Sequence, residues 1–232
     1  MDLVEVYDLK NNYWRNSQPA TAADERYGIP QGRLNPCSVI ARAKDGSSYN
    51  IYMFGGYSLD GNTGYGDVWV LSIPSFKWFL VNNGGSDAPG MPPSYEKMTC
   101  YVVGGGRRML VYGGRTRPNE NYNKCDPTSI HVFDMTNLLW EEVYDPNGGE
   151  YEVPEIIHKV IGGGPSGGAT VLPTSGMANL DMEATFKDII AKTKSTNGTT
   201  STNSTLAHRQ EMLHPTRWRR KVEPRVGKLL EL

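Results

Sequence analysis

The chain has little cysteine and no long apolar run, and each shortage excludes a class of protein. Its 232 residues include three cysteines, too few for a disulfide scaffold, and none has the CxxC spacing of a structural zinc site. No stretch approaches the roughly 18 apolar residues of a membrane helix, and the first residues lack the pattern of a secretion signal. The four histidines have no mutual spacing suited to a metal. We therefore expect no membrane span, no metal and no cofactor.

Glycine, proline and aromatic residues are abundant by comparison. The 26 glycines, 15 prolines and 10% of aromatic residues stand against a hydrophobic content of 38%. This balance favours many short strands joined by turns, so an all-β fold is the first candidate. The formal net charge is only -1.

One segment that ends in tryptophan occurs three times. The sequence VYDLKNNYW at 6–14 recurs as VFDMTNLLW at 132–140 and, with serine in place of the acid, as VLSIPSFKW at 70–78. The tryptophans Trp14, Trp78 and Trp140 are 64 and 62 positions apart. A period of this length predicts a propeller or a solenoid.

A second pattern lies between these copies, an apolar strand that ends in a glycine pair. The pairs are Gly55-Gly56 and Gly113-Gly114, 58 residues apart, and each is preceded by another strand. The predicted order in each unit is therefore a strand, a strand with Gly-Gly, a loop and a strand with Trp. We expect the Gly-Gly strand to lie inside the unit and the Trp strand nearer its outer edge, because glycine permits close approach.

These residues resemble the kelch repeat, a hydrophobic run into Gly-Gly followed by an aromatic residue and a tryptophan on later strands. The phrase GDVWVLSIPSFKW at 66–78 is most similar to fungal kelch-repeat proteins. The resemblance implies a kelch-type β-propeller of about three blades over residues 1–176, like the C-terminal part of such a protein. Fungal proteins of this kind typically carry a secretion signal and a membrane helix, and neither is visible here.

The resemblance also raises a question of completeness, because a closed propeller needs at least about four blades. The chain opens at a Trp strand and contains two full repeats, so we expect open sheet edges and self-association through them. A truncated, mis-spliced or gene-fragment product and a genuine short form are both open.

We predict a disordered tail over residues 177–232. Lys, Ser, Thr and Asn dominate from Lys187 to Thr205, which favours a linker with acceptor patterns for glycosylation at Asn197 and Asn203. Residues 206–232 are basic, with seven Lys or Arg against three Asp or Glu. No folded nucleic-acid module accompanies them, so we expect a solvated tail and no nucleic-acid partner.

The cysteines suggest two arrangements. Cys37 and Cys100 begin matching strands, which indicates small buried residues. Cys125 lies in a loop, where it could form a disulfide with Cys100 in an oxidising compartment or remain a free thiol. The sequence leaves the compartment unknown.

The loops of the two repeats are the candidate contacts for a protein partner. Tyr57 and Tyr65 flank the first loop at 58–65, and the second, at 115–126, contains Arg115, Arg117, Tyr122 and Asp126. Arginine and tyrosine are common anchors at interfaces, and ordinary solvated loops are the alternative.

Three functions remain open at this point. The first is a protein-interaction scaffold or adaptor without enzymatic activity. The second is a non-functional fragment of a longer secreted or membrane-anchored kelch protein. The third is a relative of copper-radical oxidases similar to galactose oxidase, although their tyrosine, cysteine and histidine ligands cannot be placed in this sequence.

Overall fold

The computed structural model describes residues 1–9, 11–61, 63–84, 95–96, 98–116 and 130–197. These residues form fifteen strands and two helices, in this order: β1 (Leu3–Asp8), β2 (Tyr13–Pro19), β3 (Thr21–Ala22), β4 (Arg33–Leu34), β5 (Cys37–Arg42), β6 (Tyr49–Phe54), β7 (Tyr57–Ser58), β8 (Val68–Ile73), β9 (Lys77–Asn82), β10 (Tyr95–Glu96), β11 (Thr99–Val103), β12 (Arg108–Tyr112), β13 (Arg115–Thr116), β14 (Ile130–Asp134), β15 (Leu139–Glu141), α1 (Glu155–Ile161) and α2 (Leu180–Asn197).

The strands group into two complete blades, one hairpin and two ribbons of two-residue strands. The middle blade has the antiparallel order β5-β6-β8-β9, with β3 added in parallel beside β9, and the last blade has the order β11-β12-β14-β15. The hairpin β1-β2 forms the first blade. The Gly-Gly strands β6 and β12 are second in their blades and the Trp strands β9 and β15 are fourth, as predicted. The all-β architecture with about three blades is confirmed.

Burial differs between the strands of the middle blade. Strand β8 of the middle blade is buried along five of its six residues, because one face of this blade meets the first blade and the other face meets the last. Strand β5 alternates between buried and exposed residues, the period expected when only one face of a strand is covered.

Aromatic side chains fill the space between the middle and last blades. The ring of Phe54 meets that of Trp140 edge to face at 4.8 Å, and Phe133 lies 5.1 Å from the same indole. Trp78 occupies the matching space between the first and middle blades, where its indole Nε1 donates to the Met1 carbonyl at 2.9 Å. Each of these tryptophans therefore packs toward the blade that precedes it in the chain.

The repeated acid of the Trp segment closes a turn. Asp134 accepts hydrogen bonds from the backbone N–H groups of Thr136 and Asn137 at 2.8 and 3.0 Å, and Asp8 accepts one from Asn11 at 3.0 Å. Burial alone would raise the pKa of Asp134, but hydrogen bonds from Arg107 and from these backbone groups outweigh it and hold that pKa below its usual range. The acid of the repeat is therefore structural.

Residues 151–169 close one end of the gap between the middle and last blades. Helix α1 inserts Ile157 and Ile161 into the core there. The Tyr151 hydroxyl lies 3.1 Å from that of Tyr52 and accepts from Asn50 at 3.0 Å. The i, i+4 spacing of the two isoleucines matches a helix that buries one face.

Helix α2 lies within the segment that the sequence predicted to be a disordered tail. Its Met182 is buried and its Phe186 packs on Phe76 with ring centroids 5.9 Å apart. Gln18 secures the approach to the helix, because its Oε1 accepts from the Ala178 N–H at 2.7 Å. Residues 180–197 of the predicted tail form this helix, and residues 198–232, including Asn203, lie outside the described residues.

Candidate interaction surface

Each complete blade carries a short two-stranded ribbon at the same end. In the middle blade β4 pairs with β7, and in the last blade β10 pairs with β13. Both ribbons contain the residues that directly follow the Gly-Gly pair of the second strand. We call this end of the two blades, with residues 57–61, 63–65 and 115–116, the ribbon face.

Gly56 allows the first ribbon to form. Its φ angle is +85°, and a Cβ atom at this position would lie 2.7 Å from the Leu34 carbonyl oxygen and 3.0 Å from the Pro36 nitrogen. The glycine pair of the repeat is thus required here by a turn and by a close backbone approach together.

Arg33 joins the ribbon to the blade through hydrogen bonds of its buried guanidinium. Its guanidinium donates to Asp67 at 2.6 Å and to the Gly55 carbonyl at 3.2 Å, and it is almost fully buried. The ring of Tyr65 covers it, with 4.1 Å between the guanidinium carbon and the ring centroid. Tyr65, which the sequence suggested as a contact residue, therefore packs on an arginine of its own chain.

Tyr57 is half-buried in the ribbon opposite Leu34. Its hydroxyl accepts a hydrogen bond from the Asn35 side chain at 3.4 Å. The exposed apolar residues beside it are Leu34 and Leu59, which sequence reasoning missed. Leu59 was recognisable as a large apolar residue inside a polar loop.

The second loop is described only at its start. The register places Arg115 directly opposite Glu96. Arg117, Tyr122 and Asp126 lie outside the described residues. Tyr57 thus lies on the first ribbon, and Tyr65 lies beside it, with its N–H bonded to the Gly56 carbonyl at 2.9 Å. Arg115 follows its Gly-Gly pair directly, as Tyr57 does in the preceding repeat.

The structure contradicts the predicted disulfide between Cys100 and Cys125. Cys100 is bonded to Cys37, with the two Cα atoms 5.6 Å apart, and Cys125 lies outside the described residues. Cys37 pairs with Phe54, whereas Cys100 pairs with Val111, one residue out of step with the repeat. Because neighbouring residues of a strand point to opposite faces, this offset turns the two sulfur atoms toward each other across the gap between blades.

A groove lies at the outer edge of the middle blade, away from the ribbons. It has a volume of about 360 Å³ between β9, helix α1 and the chain near residue 27. Exposed Tyr27 and Ile156 border it, with Leu80 and Val160 at its base. Because it is concave and partly lined with apolar residues, this groove is a second candidate surface for binding a partner, after the ribbon face.

The described residues hold no group of three or more His, Cys, Asp or Glu arranged to bind a metal ion. His131 lies on β14 against Trp140 at 6.4 Å between ring centroids, and His158 lies on α1. Burial raises the pKa of Tyr151 to about 12, so that this phenol stays protonated. Over the same residues, neither helix has the length and apolar content to cross a membrane.

Comparison with known proteins gives relatives of one kind. No protein-family model matches the chain. It is 33% identical to a Kelch repeat-containing protein of Arthroderma benhamiae over 205 residues, which cover 76% of this chain and 29% of that protein. It is 24% identical to the Kelch domain-containing protein 3 of Homo sapiens and of Bos taurus over 144 residues, 59% of this chain and 32% of theirs. The chain thus spans less than a third of the length of these relatives.

Proposed function

The chain belongs to the kelch-repeat family, and on that premise we propose that it is a protein-interaction module whose partner binds the ribbon face. The observation that carries the proposal is the ribbon of β4 and β7, where exposed Leu34 and Leu59 stand on a base secured by buried Arg33. A contact surface that is already ordered loses little conformational entropy when it binds.

The two ribbons pair different types of residue, so we expect each to contact a different part of the partner. Leu34 pairs with Tyr57 in the first ribbon, and Glu96 pairs with Arg115 in the backbone register of the second. We propose a protein partner that places an apolar side chain against Leu59 and a charged or polar segment along the second loop. Arg115, Arg117, Tyr122 and Asp126 are the proposed contacts in that loop, and Tyr57 is the proposed aromatic contact in the first.

Binding without catalysis is part of the proposal. It is supported by the names of the relatives, which state a repeat or a domain and no reaction. A role as an adaptor, membership of a longer secreted or membrane-anchored kelch protein, a fungal origin and glycosylation at Asn197 or Asn203 stay predictions.

A photo-crosslinking amino acid at position 59 tests the proposal. Crosslinked products from extracts of the source cells are identified by mass spectrometry, and the matched control places the same group at Leu180, which is also largely exposed but begins helix α2 beside the opposite end of the blades. We expect a protein that is captured from position 59 and not from position 180, and whose capture is lost in Leu34→Asp. A partner captured instead from position 156, in the groove beside β9, would move the binding site there and contradict the ribbon-face proposal.

A further inference from the structure

We propose that an extended segment of a partner protein, with apolar side chains at alternate positions, binds the groove beside β9 and adds a strand to the outer edge of the middle blade. This inference concerns a second binding site and is independent of the ribbon face. The groove lies between Leu80 of β9, the chain at Tyr27, and Ile156 and Val160 of helix α1. Because neighbouring blades pack on both faces of the middle blade, a partner reaches this blade at its edges and ends.

Strand β3 shows how an extended segment binds this edge. It lies parallel to β9, and the N–H of Ala23 at its end donates to the Trp78 carbonyl at 2.8 Å. The chain then turns away, since the N–H of Tyr27 donates to the Asp24 carbonyl at 3.1 Å. Strand β3 therefore covers only the first part of β9, and the groove begins where β3 ends.

Leu80 is the next residue of β9 whose backbone faces outward. The Trp78 carbonyl accepts from Ala23, so the backbone of this tryptophan points away from β8. Backbone direction alternates along a strand, which turns the groups of Phe79 toward β8 and those of Leu80 outward again. Within the part of the chain that the structure describes, no residue forms a hydrogen bond with Leu80 from this outer side. Leu80 therefore offers a donor and an acceptor that an added strand satisfies.

The side chains around the groove set the chemistry of the added segment. Phe79 and Val81 belong to the same apolar cluster as Val160 of α1, whereas Leu80 packs in the cluster on the other face of the blade. A strand added at this edge alternates in the same way. Every second side chain of the segment then points toward α1, where Ile156 is exposed, so these positions require apolar residues.

The charges beside the groove favour an uncharged segment. Asp24 forms an ion pair with Arg26 at 2.5 Å, and Lys159 forms one with Glu155 on α1 at 2.5 Å. A charged segment would compete with these pairs, whereas an apolar segment leaves them intact. The groove therefore combines an open strand edge with a rim whose charges are already matched.

Amide hydrogen exchange of the 232-residue chain, followed by NMR, tests the open edge without a partner. We expect the Leu80 N–H to exchange roughly 100-fold faster than that of Phe79, which pairs with Val70 of β8. Equal protection of the two amides, whether by this chain or by a second copy of it, would overturn the proposal because the edge would already be paired.

A library of random heptapeptides displayed on phage, selected against the full chain, tests the occupant. We expect selected peptides with apolar residues at alternate positions, and their binding should slow exchange of the Leu80 N–H by about tenfold or more. Methylation of the peptide nitrogens that pair with β9 should abolish binding, since it removes the donors and leaves the side chains unchanged. Peptides that bind equally well after methylation, or a selection that yields no peptide, would overturn the proposal.

Substitutions in the chain locate the peptide. Ile156→Asp should weaken its binding by about tenfold or more. Ile40→Asp is the matched control, an exposed isoleucine on β5 at the opposite edge of the same sheet, and it should leave the affinity unchanged. Leu34→Asp on the ribbon face should also have no effect. Loss of binding in either of these controls but not in Ile156→Asp would overturn the proposal, and the ribbon-face proposal would still be tested separately by capture from position 59.

Discussion

The sulfur atoms of Cys37 and Cys100 are bonded across the gap between the middle and last blades. Each cysteine lies on the first strand of its blade, β5 or β11, but at positions that differ by one residue in strand register. The covalent bond therefore adds to the contacts between these blades, which include the edge-to-face rings of Phe54 and Trp140 and a hydrogen bond from the Tyr52 hydroxyl to the Met135 carbonyl at 2.6 Å.

Reduction of this bond should destabilise the chain. It closes a loop with a sequence separation of 63 residues, for which chain entropy predicts a stabilisation of about 4 kcal/mol. Denaturant unfolding followed by circular dichroism, with and without reductant, measures the difference. Cys37→Ser should reproduce the effect of reductant and Cys125→Ser should not. An equal loss in the two variants would contradict the assignment.

The three tryptophans of the repeat should differ sharply when truncated. Trp78→Ala and Trp140→Ala remove buried indoles from the spaces between blades, at a cost of about 3–5 kcal/mol each. Trp14→Ala removes an exposed side chain and should cost less than about 1 kcal/mol. Free energies of unfolding test this order. Equal costs at all three positions would show that Trp14 is buried in its own chain.

Gly56→Ala should destabilise the fold by more than the conformational cost of an alanine at a positive φ angle. A Cβ atom at Gly56 meets the Leu34 carbonyl oxygen, whereas one at Gly113, with a φ of +70°, meets nothing within 4 Å. The control Gly113→Ala should thus show only the conformational cost of about 1 kcal/mol. We expect Gly56→Ala to exceed it by about 1 kcal/mol or more, measured by thermal unfolding. Identical melting temperatures for the two variants would contradict the close approach.

Asp134→Asn should reduce the loss in free energy of unfolding that acidification causes in the wild type. The pKa of Asp134 is held below its unfolded value near 3.8, so its ionisation stabilises the fold above that pH, and the contribution is lost as the pH falls through the lowered folded pKa. At neutral pH the substitution should cost roughly 2–3 kcal/mol, because it removes charged hydrogen bonds to Arg107. Unfolding free energies between neutral and acid pH measure both effects. A variant with the same acid slope as the wild type would rule out this role for Asp134.

Much of the blade architecture could be predicted from the sequence because it depends on local patterns. The step from Asp134 to Trp140 indicates a turn, and the run into Gly55-Gly56 indicates a backbone that only glycine adopts easily; both patterns can be recognised from a few neighbouring residues. The ribbons were missed because strands of two residues, such as β4 and β7, leave no periodicity to read.

Features that depend on tertiary register could not be predicted in the same way. In the sequence, Cys37 and Cys100 each begin a strand before the Gly-Gly strand of their repeat. Only the strand pairing, of Cys37 with Phe54 and of Cys100 with Val111, shows that the two cysteines differ by one residue in register. Tyr65 was predicted to be a contact residue because its packing on buried Arg33 joins two residues far apart in the chain and leaves no local sequence pattern. Helix α2 carried a readable signal, since Met182, Phe186 and Ile190 recur at every fourth position, but the Lys, Ser, Thr and Asn content concealed it.

The most direct test of this account is to map the disulfide in the intact chain by non-reducing digestion and mass spectrometry, because the central claim is that the two complete blades pack side by side with their first strands in contact. We predict a single linked peptide pair that joins Cys37 to Cys100, with Cys125 recovered as a thiol. A pair joining Cys100 to Cys125, or three free thiols in chain purified without reductant, would contradict this packing of the two blades.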